Sequence, residues 1–477
     1  MAVKLSPLDK IDPAAAWQPW RPSASDPWGR KWAAHLYRRA GFGASRADLL
    51  EAERLGLDGT LDLFLRGRPK AEELRETLTD VGCIAAGRDD SGEQLRGWWL
   101  YSMLYGGHPL REKLTLFWHN HFATSIDKVR NATLMFRQNC VLRGHALGKF
   151  GPFLQAMSKD GAMLVWLDSN SNVKGKPNEN YARELMELFS LGVGNYSEQD
   201  IRQAARAFTG WHTDGTGFRF DPSAHDDGTK TVLGQTGDWD GGDVVRIVLD
   251  QPAAARFLVR KLYRFLISEN AAPDSLLQPL CVLFRKSGYD IAVLVKTMLA
   301  SRHFYSEHAF RQRIKNPVEY VLGAVQAVYR RYDEKDADYR PLPQQVLARR
   351  LAAMGQVLFA PPNVKGWPGG RSWLNTSTVL ERDNFAAALA MGTLWSKEPE
   401  PPLAFDPAQL LREEKVDRSA DVVRALLNLY VPGGIRTEAQ KKLTAFMTQG
   451  DPSGHALDLR VREAVHAILT MAEYQLA

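Results

Sequence analysis

Apolar residues recur every three or four positions along most of this chain. The segments ADLLEAERLGLDGTLDLFL (47–65), EQLRGWWLYSML (93–104), REKLTLFWHNHF (111–122) and NATLMFRQNCVL (131–142) all carry that spacing. It lays their apolar side chains along one stripe of an α-helix. Start signals accompany the pattern. Pro109 stands where a first-turn residue needs no N–H, and Ser197 with Asp200 forms an acidic variant of a capping box. Pro252 opens PAAARFLVRKLYRFLI, and Asn316–Pro317 precedes VEYVLGAVQAVYRRY. Strand-like alternation is scarce. GFRFD (217–221) and TVLG (231–234) are the best candidates for a small hairpin. The expected fold is mainly α: a multi-helix globular bundle with one or two small β-hairpin insertions near residues 211–240.

Punctuation divides the chain weakly. Residues 1–30 are rich in Pro and Trp (Trp17, Trp20, Trp28) and are expected to wrap irregularly over the body as an N-terminal arm. Residues 31–396 form the helical main domain. The Pro-rich, acidic stretch KEPEPPLAFDP (397–407) marks the start of a C-terminal helical subdomain, 397–477, packed on the main domain. No repeat of fixed period is visible.

Composition narrows the classes. With 44% apolar residues over 477 positions, the chain can bury a large core. Lys plus Arg number 61 against 55 acids, a net charge of +6, and the signs alternate as in YRRYDEKDADYR (329–340). That is not the footprint of a nucleic-acid binder, unless Arg38, Arg39, Arg202 and Arg206 form one exposed patch. No apolar run is long enough to span a membrane. The N-terminus lacks a signal-peptide h-region, so the chain as written reads as cytoplasmic. Three cysteines, Cys83, Cys140 and Cys281, stand far apart with no CxxC pair, and read as small core residues.

Four segments could carry chemistry. In FWHNHF, His119 and His121 are metal ligands, an acid/base pair, or polar residues tucked under a helix. On a continuous helix they diverge by about 200° and cannot share an ion. On an extended segment they share a face, as metal-binding HxH pairs do. The string is not the HNH nuclease signature, whose residues are spread over a hairpin and a helix.

In NENYARELMELFSLGVGNYSEQD (178–200), Asn180, Glu184 and Glu187 share one face of a helix that Gly192 stops. Arg183 can reach Glu179 and Glu187 at four-residue spacing. An inward-facing carboxylate pair needs a cation, an arginine or a shared proton, and Arg206 is the expected partner. Such a pair is equipment for general acid/base work; an ion-paired surface face is the plainer alternative.

The third segment is HDDGTKTVLGQTGDWDGGDVV (225–245). Asp238, Asp240 and Asp243 lie near the spacing of an oxygen-ligand loop for a hard cation, but without the closing Glu of an EF-hand. A helix cap by Asp240 or Asp243 is the simpler account. Lys230, between glycines, could meet an anion. In the fourth segment, PPNVKGWPGGRSWLNTSTVLERDNF (361–385), Trp367 and Trp373 sit on a Gly/Pro loop beside Arg371. They are either a stacking platform or a plug into the core. No GxSxG elbow, Walker loop, Rossmann fingerprint or HExxH occurs.

Taken in order with LYRRAGFGAS (36–45) and NPVEYVLGA (316–324), these blocks resemble the bacterial domain-of-unknown-function family numbered 1800. The matching stretches span nearly the whole chain. The resemblance implies a largely helical protein whose activity is unassigned. It also implies genes lying beside a secreted, sulfatase-like family, and hence a role in handling an extracytoplasmic polysaccharide. Relatives are often exported, so an extracytoplasmic location is implied too. Many carry His where this chain has Phe189. If that position ligates a metal in relatives, this chain lacks one ligand.

Two functional expectations follow. The first is a hydrolase or lyase acting on a glycan or ester polymer. Its catalytic groups are His119, His121, Glu184 and Glu187, and one divalent metal ion could be held by His119, His121 and Glu187, or by Asp238, Asp240 and Asp243. Asn120, Asn178, Asn180, Arg183, Arg206, Lys230, Trp367 and Arg371 would bind substrate. The second is a non-catalytic binding or assembly module that works with the sulfatase-like partner and uses the polar blocks to lock helices together. An open pocket shared by His121 and Glu187 favours the first; sealed, paired polar groups favour the second.

Overall fold

A computed structural model describes residues 7–88, 90–329, 343–396, 405–416 and 418–477. The anticipated helices are present, and their local chemistry explains their ends. Arg46–Arg66 starts at a Ser45/Asp48 capping box and kinks at Gly56, whose φ of 70° no helical residue adopts. Glu93–Tyr105, Pro109–His121 and Ala132–His145 follow; Pro109 lies in the first turn and Asn131 caps the third through the Leu134 N–H. Ser197 and Asp200 cap Glu198–Ala207 reciprocally, and Asn316 with Glu319 does the same for Pro317–Val328.

The β content is two separate two-stranded antiparallel sheets rather than one hairpin. Trp211–Thr213 pairs with Phe218–Phe220, and Lys230–Val232 pairs with Gln235–Gly237. The two predicted strands therefore each find a sequence neighbour instead of each other. Each hairpin turns through glycine, where Gly215 and Gly234 take φ of 87° and 82°.

One continuous apolar core joins the helices. The N-terminal arm is anchored to it by rings. Trp17 donates from Nε1 to the Leu276 carbonyl at 2.6 Å, and Trp20 stacks on Tyr305 with centroids 4.5 Å apart. Near the other end of the chain, Gly454–Thr470 runs against Thr376–Ala390. Leu476 forms a β-bridge to Ile314. Most of the Pro-rich stretch expected to mark a boundary, 397–404, lies outside the described residues. Among the described residues no helix is long and apolar enough to cross a membrane. The cysteines are free, and they differ in setting: Cys281 is buried, Cys140 half-buried and Cys83 exposed, so only one of the three is a fully buried core residue.

Candidate functional site

The helix Pro109–His121 runs unbroken to its last residue, so the two imidazoles leave it on different sides. His119 lies among Trp99, Phe359 and Trp367, and its Nε2 accepts the Phe359 N–H at 3.2 Å. His121 lies among Trp118, Phe122 and Phe189, and its Nε2 meets the Phe189 carbonyl at 3.0 Å. A carbonyl only accepts, so Nε2 carries the proton, and Nδ1 is buried with no partner among the described residues. The two rings are 1% and 2% exposed, which seals both from solvent. Burial pulls His119 down to about 3. Burial, and then the Lys261 ammonium, pull His121 well below the usual histidine range. Both are neutral at pH 7.

Asn120, between them, clamps the tryptophan loop. Its Oδ1 accepts the Trp367 N–H at 2.6 Å, and its Nδ2 donates back to the Trp367 carbonyl at 3.4 Å. Gly366 makes the approach possible: at φ 76°, any Cβ there would collide with the Asn120 carboxamide. Trp367 and Trp373 are both buried, while Arg371 is exposed on the short turn Gly370–Trp373. The loop therefore plugs into the core rather than offering its rings as a platform.

The carboxylate block approaches the histidine block. It begins as the helix Asn180–Glu184 and continues as a π-helical turn, Leu185–Ser190. The wider turn changes the angular step per residue, so a straight α-helical extrapolation from Asn180 to Glu187 fails. It also delivers the Phe189 carbonyl to His121. Glu184 and Glu187 are half-buried. Burial first, then the neighbouring Glu187, raise the Glu184 carboxyl, while Lys365 and Arg183 act to lower it. Tyr196 donates its hydroxyl to Glu187 at 3.2 Å.

The expected arginine partners are engaged elsewhere. Arg206 binds Asp226 at 2.8 Å, not the glutamates. Arg183 pairs with Glu179 and with Glu198, at 2.9 and 2.8 Å, not with Glu187. The Arg183–Glu179 pair was expected from spacing; the acids Glu198 and Asp226, brought in from elsewhere in the chain, take up the rest. Asn178 serves its own loop: its Nδ2 reaches Ser171 at 2.7 Å and its Oδ1 accepts the N–H of exposed Asn180.

The aspartate loop is a helix cap. Asp240 and Asp243 form a reciprocal capping box at the start of Gly241–Asp250, and Asp238 accepts from the Thr229 hydroxyl at 2.9 Å. Lys230 is buried and donates to the Gly228 carbonyl at 2.9 Å. Among the described residues, no three His, Cys, Asp or Glu side chains converge in a group that could hold a metal ion. Neither expected ligand set is gathered. Nor do Arg38, Arg39, Arg202 and Arg206 make a basic patch: Arg39 is buried, with Nη2 donating to the Ile267 and Ala309 carbonyls.

Two groups beside these blocks escaped the sequence reading. Lys261, half-buried over the Phe257 ring, donates at 3.4 Å to the Leu188 carbonyl, and burial pulls its ammonium down to about 7. Tyr196 caps the acidic pair from the loop beyond Gly192. Only the π turn, which no residue type announces, brings Leu188 and Glu187 to them.

A family profile described as "Protein of unknown function (DUF1800)" matches residues 35–476. No curated protein matches this chain, and no solved structure does.

Proposed function

Because the chain belongs to the DUF1800 family, whose description assigns no function, we propose from the geometry that it is a non-catalytic binding or assembly module. Its partner on this reading is the sulfatase-like protein that the resemblance implies. The observation that carries the reading is the sealing of the histidine pair. Each imidazole is buried, neutral and bonded to the backbone of a distant segment: Phe359 for His119, Phe189 for His121. Asn120, Arg183, Arg206 and Asp240 are likewise committed to neighbours within the fold. Buried polar networks of this kind fix one arrangement of helices, which is what a rigid docking scaffold requires.

A second reading has one observation in its favour. Glu184 and Glu187 form a half-buried acidic pair, and burial together with mutual repulsion raises Glu184. A carboxylic acid held above its usual range beside a second carboxylate suits general acid catalysis of ester or glycan hydrolysis. Lys365 and Tyr196 would frame that pair.

Co-expression with the neighbouring sulfatase-like protein, followed by size-exclusion chromatography with light scattering, tests the first reading; a defined stoichiometric complex is expected. The same purified chain is then assayed on aryl esters and on acidic and neutral glycans. Turnover abolished by Glu184→Gln with Glu187→Gln, at unchanged melting temperature, would replace the module reading with the hydrolase.

A further inference from the structure

A groove lies where the helix Thr376–Ala390 meets the last turns of the chain. Its volume is about 540 Å3, within the roughly 300–1,000 Å3 of small-molecule sites. Its walls are apolar: Ile314, Leu374, Val379, Leu380, Ala472 and Leu476. Val379 and Leu380, both lining it, are 50% and 58% exposed.

One cation sits among these walls. Arg382 lines the groove and is 2% exposed. Its Nη1 donates to the Gln475 side chain at 2.8 Å and its Nη2 to the Lys315 carbonyl at 2.9 Å. Its Nε–H is buried with no acceptor among the described residues. Among the described residues no carboxylate is hydrogen-bonded to it, and Glu319 acts on it only through its charge. The adjacent Asp383, also on the groove, is bound to His466 at 2.9 Å.

Behind Arg382 cations outnumber carboxylates: Glu319, Glu269 and Glu473 face several buried or half-buried Lys and Arg side chains. Lys315 is buried with its ammonium 3.5 Å from the centre of the Tyr474 ring; burial and then Arg38, Arg382 and Arg311 depress it, while Glu319 acts to raise it. Arg39, Lys113 and Arg313 complete the cluster. Among the described residues, its only fully buried carboxylate side chain is Glu319, which is already bound to Lys113 and Arg313. A buried guanidinium without an anion is costly, and an anion brought in by a ligand would offset that cost.

We propose that this groove binds an aliphatic carboxylate, its chain along the walls and its head toward Arg382. Two of the three guanidinium nitrogens are already engaged, which favours a small, singly charged head over a phosphate with its larger demand for donors. The inference goes beyond the module reading and depends on neither account of the Glu184/Glu187 pair.

Isothermal titration calorimetry of the full chain with sodium dodecanoate, kept below its micelle-forming concentration, tests it. One saturable site per chain is expected. Dodecanol should bind at least tenfold more weakly, because it lacks the charge. Leu380→Asp, at an exposed position that leaves the core intact, should weaken dodecanoate binding at least tenfold. Absence of saturable binding overturns the proposal. So does equal affinity for dodecanol, or unchanged binding by Leu380→Asp.

Discussion

A histidine in this protein is decided by its surroundings more than by its neighbours in sequence. His119 accepts a hydrogen bond only while Nε2 is unprotonated, and burial lowers it to about 3 from an ordinary 6.5. A depressed folded value means the contribution is whole above pH 6.5 and is lost as pH falls toward 3. From pH 6.5 to 5 that loss is about 2 kcal/mol, at 1.36 kcal/mol per unit. His121 acts in the same direction. Asp160 opposes them: burial raises it to about 6 from 3.8, so protonating it as pH falls through 6 favours the folded state. Urea unfolding at pH 7 and pH 5 should therefore show a net loss in the native chain. His119→Gln, which keeps an acceptor but cannot titrate, should lose about 2 kcal/mol less over that interval; an identical loss would contradict the buried neutral imidazole. At this scale the sequence marked His119, His121 and Asn120 as unusual. It could not say that their partners are backbone groups of Phe359, Phe189 and Trp367, because backbone partners leave no trace in residue identity.

Elements carry the next set of expectations. The tryptophan loop depends on Gly366, where a Cβ meets both a left-handed backbone and the Asn120 carboxamide. Gly366→Ala should lower the unfolding free energy by about 2 kcal/mol or more. A near-neutral result in chemical denaturation would mean the clamp is dispensable. Asp240 separates cap from cation site. As a cap, Asp240→Ala should cost about 1 kcal/mol and Asp240→Asn far less. Both effects should be the same with millimolar calcium or with a chelator, and calcium-dependent melting that either variant abolishes would restore the cation loop. Helix positions and caps were legible in the sequence, since Ser197, Asn316 and Pro109 state them locally. The π turn at Leu185–Ser190 was not, because its residues are ordinary helix formers and only tertiary contacts select the wider turn.

The whole molecule is held by charges that no local pattern pairs. Glu319 is buried against Lys113 and Arg313. Burial opposes its ionisation, yet those two cations hold it down to about 2, so its contribution is present above pH 4.5 and is lost as pH falls toward 2. Glu319→Gln leaves buried cations unpaired and should cost about 3–5 kcal/mol, read as the shift in the unfolding midpoint; a loss under 1 kcal/mol would show that solvent reaches the cluster. Lys113 and Glu319 are 206 positions apart, and Arg206 and Asp226 belong to different elements. Arg206, on the next helix, was therefore a natural candidate for the glutamates, while the fold gave it to Asp226.

By itself the sequence determined the helical class, the element ends with strong caps, the two β insertions' neighbourhood and the family. Each of these rests on periodicity or on residue order, which are properties of short stretches. Tertiary structure alone decided which polar groups meet: that His119 and His121 face apart into sealed aromatic surroundings, that Glu184 and Glu187 stay half-buried, and that the buried Arg382 guanidinium lines an apolar groove. The reason is physical. Burial and field arise from every element packed around a side chain, and those elements come from anywhere along the chain.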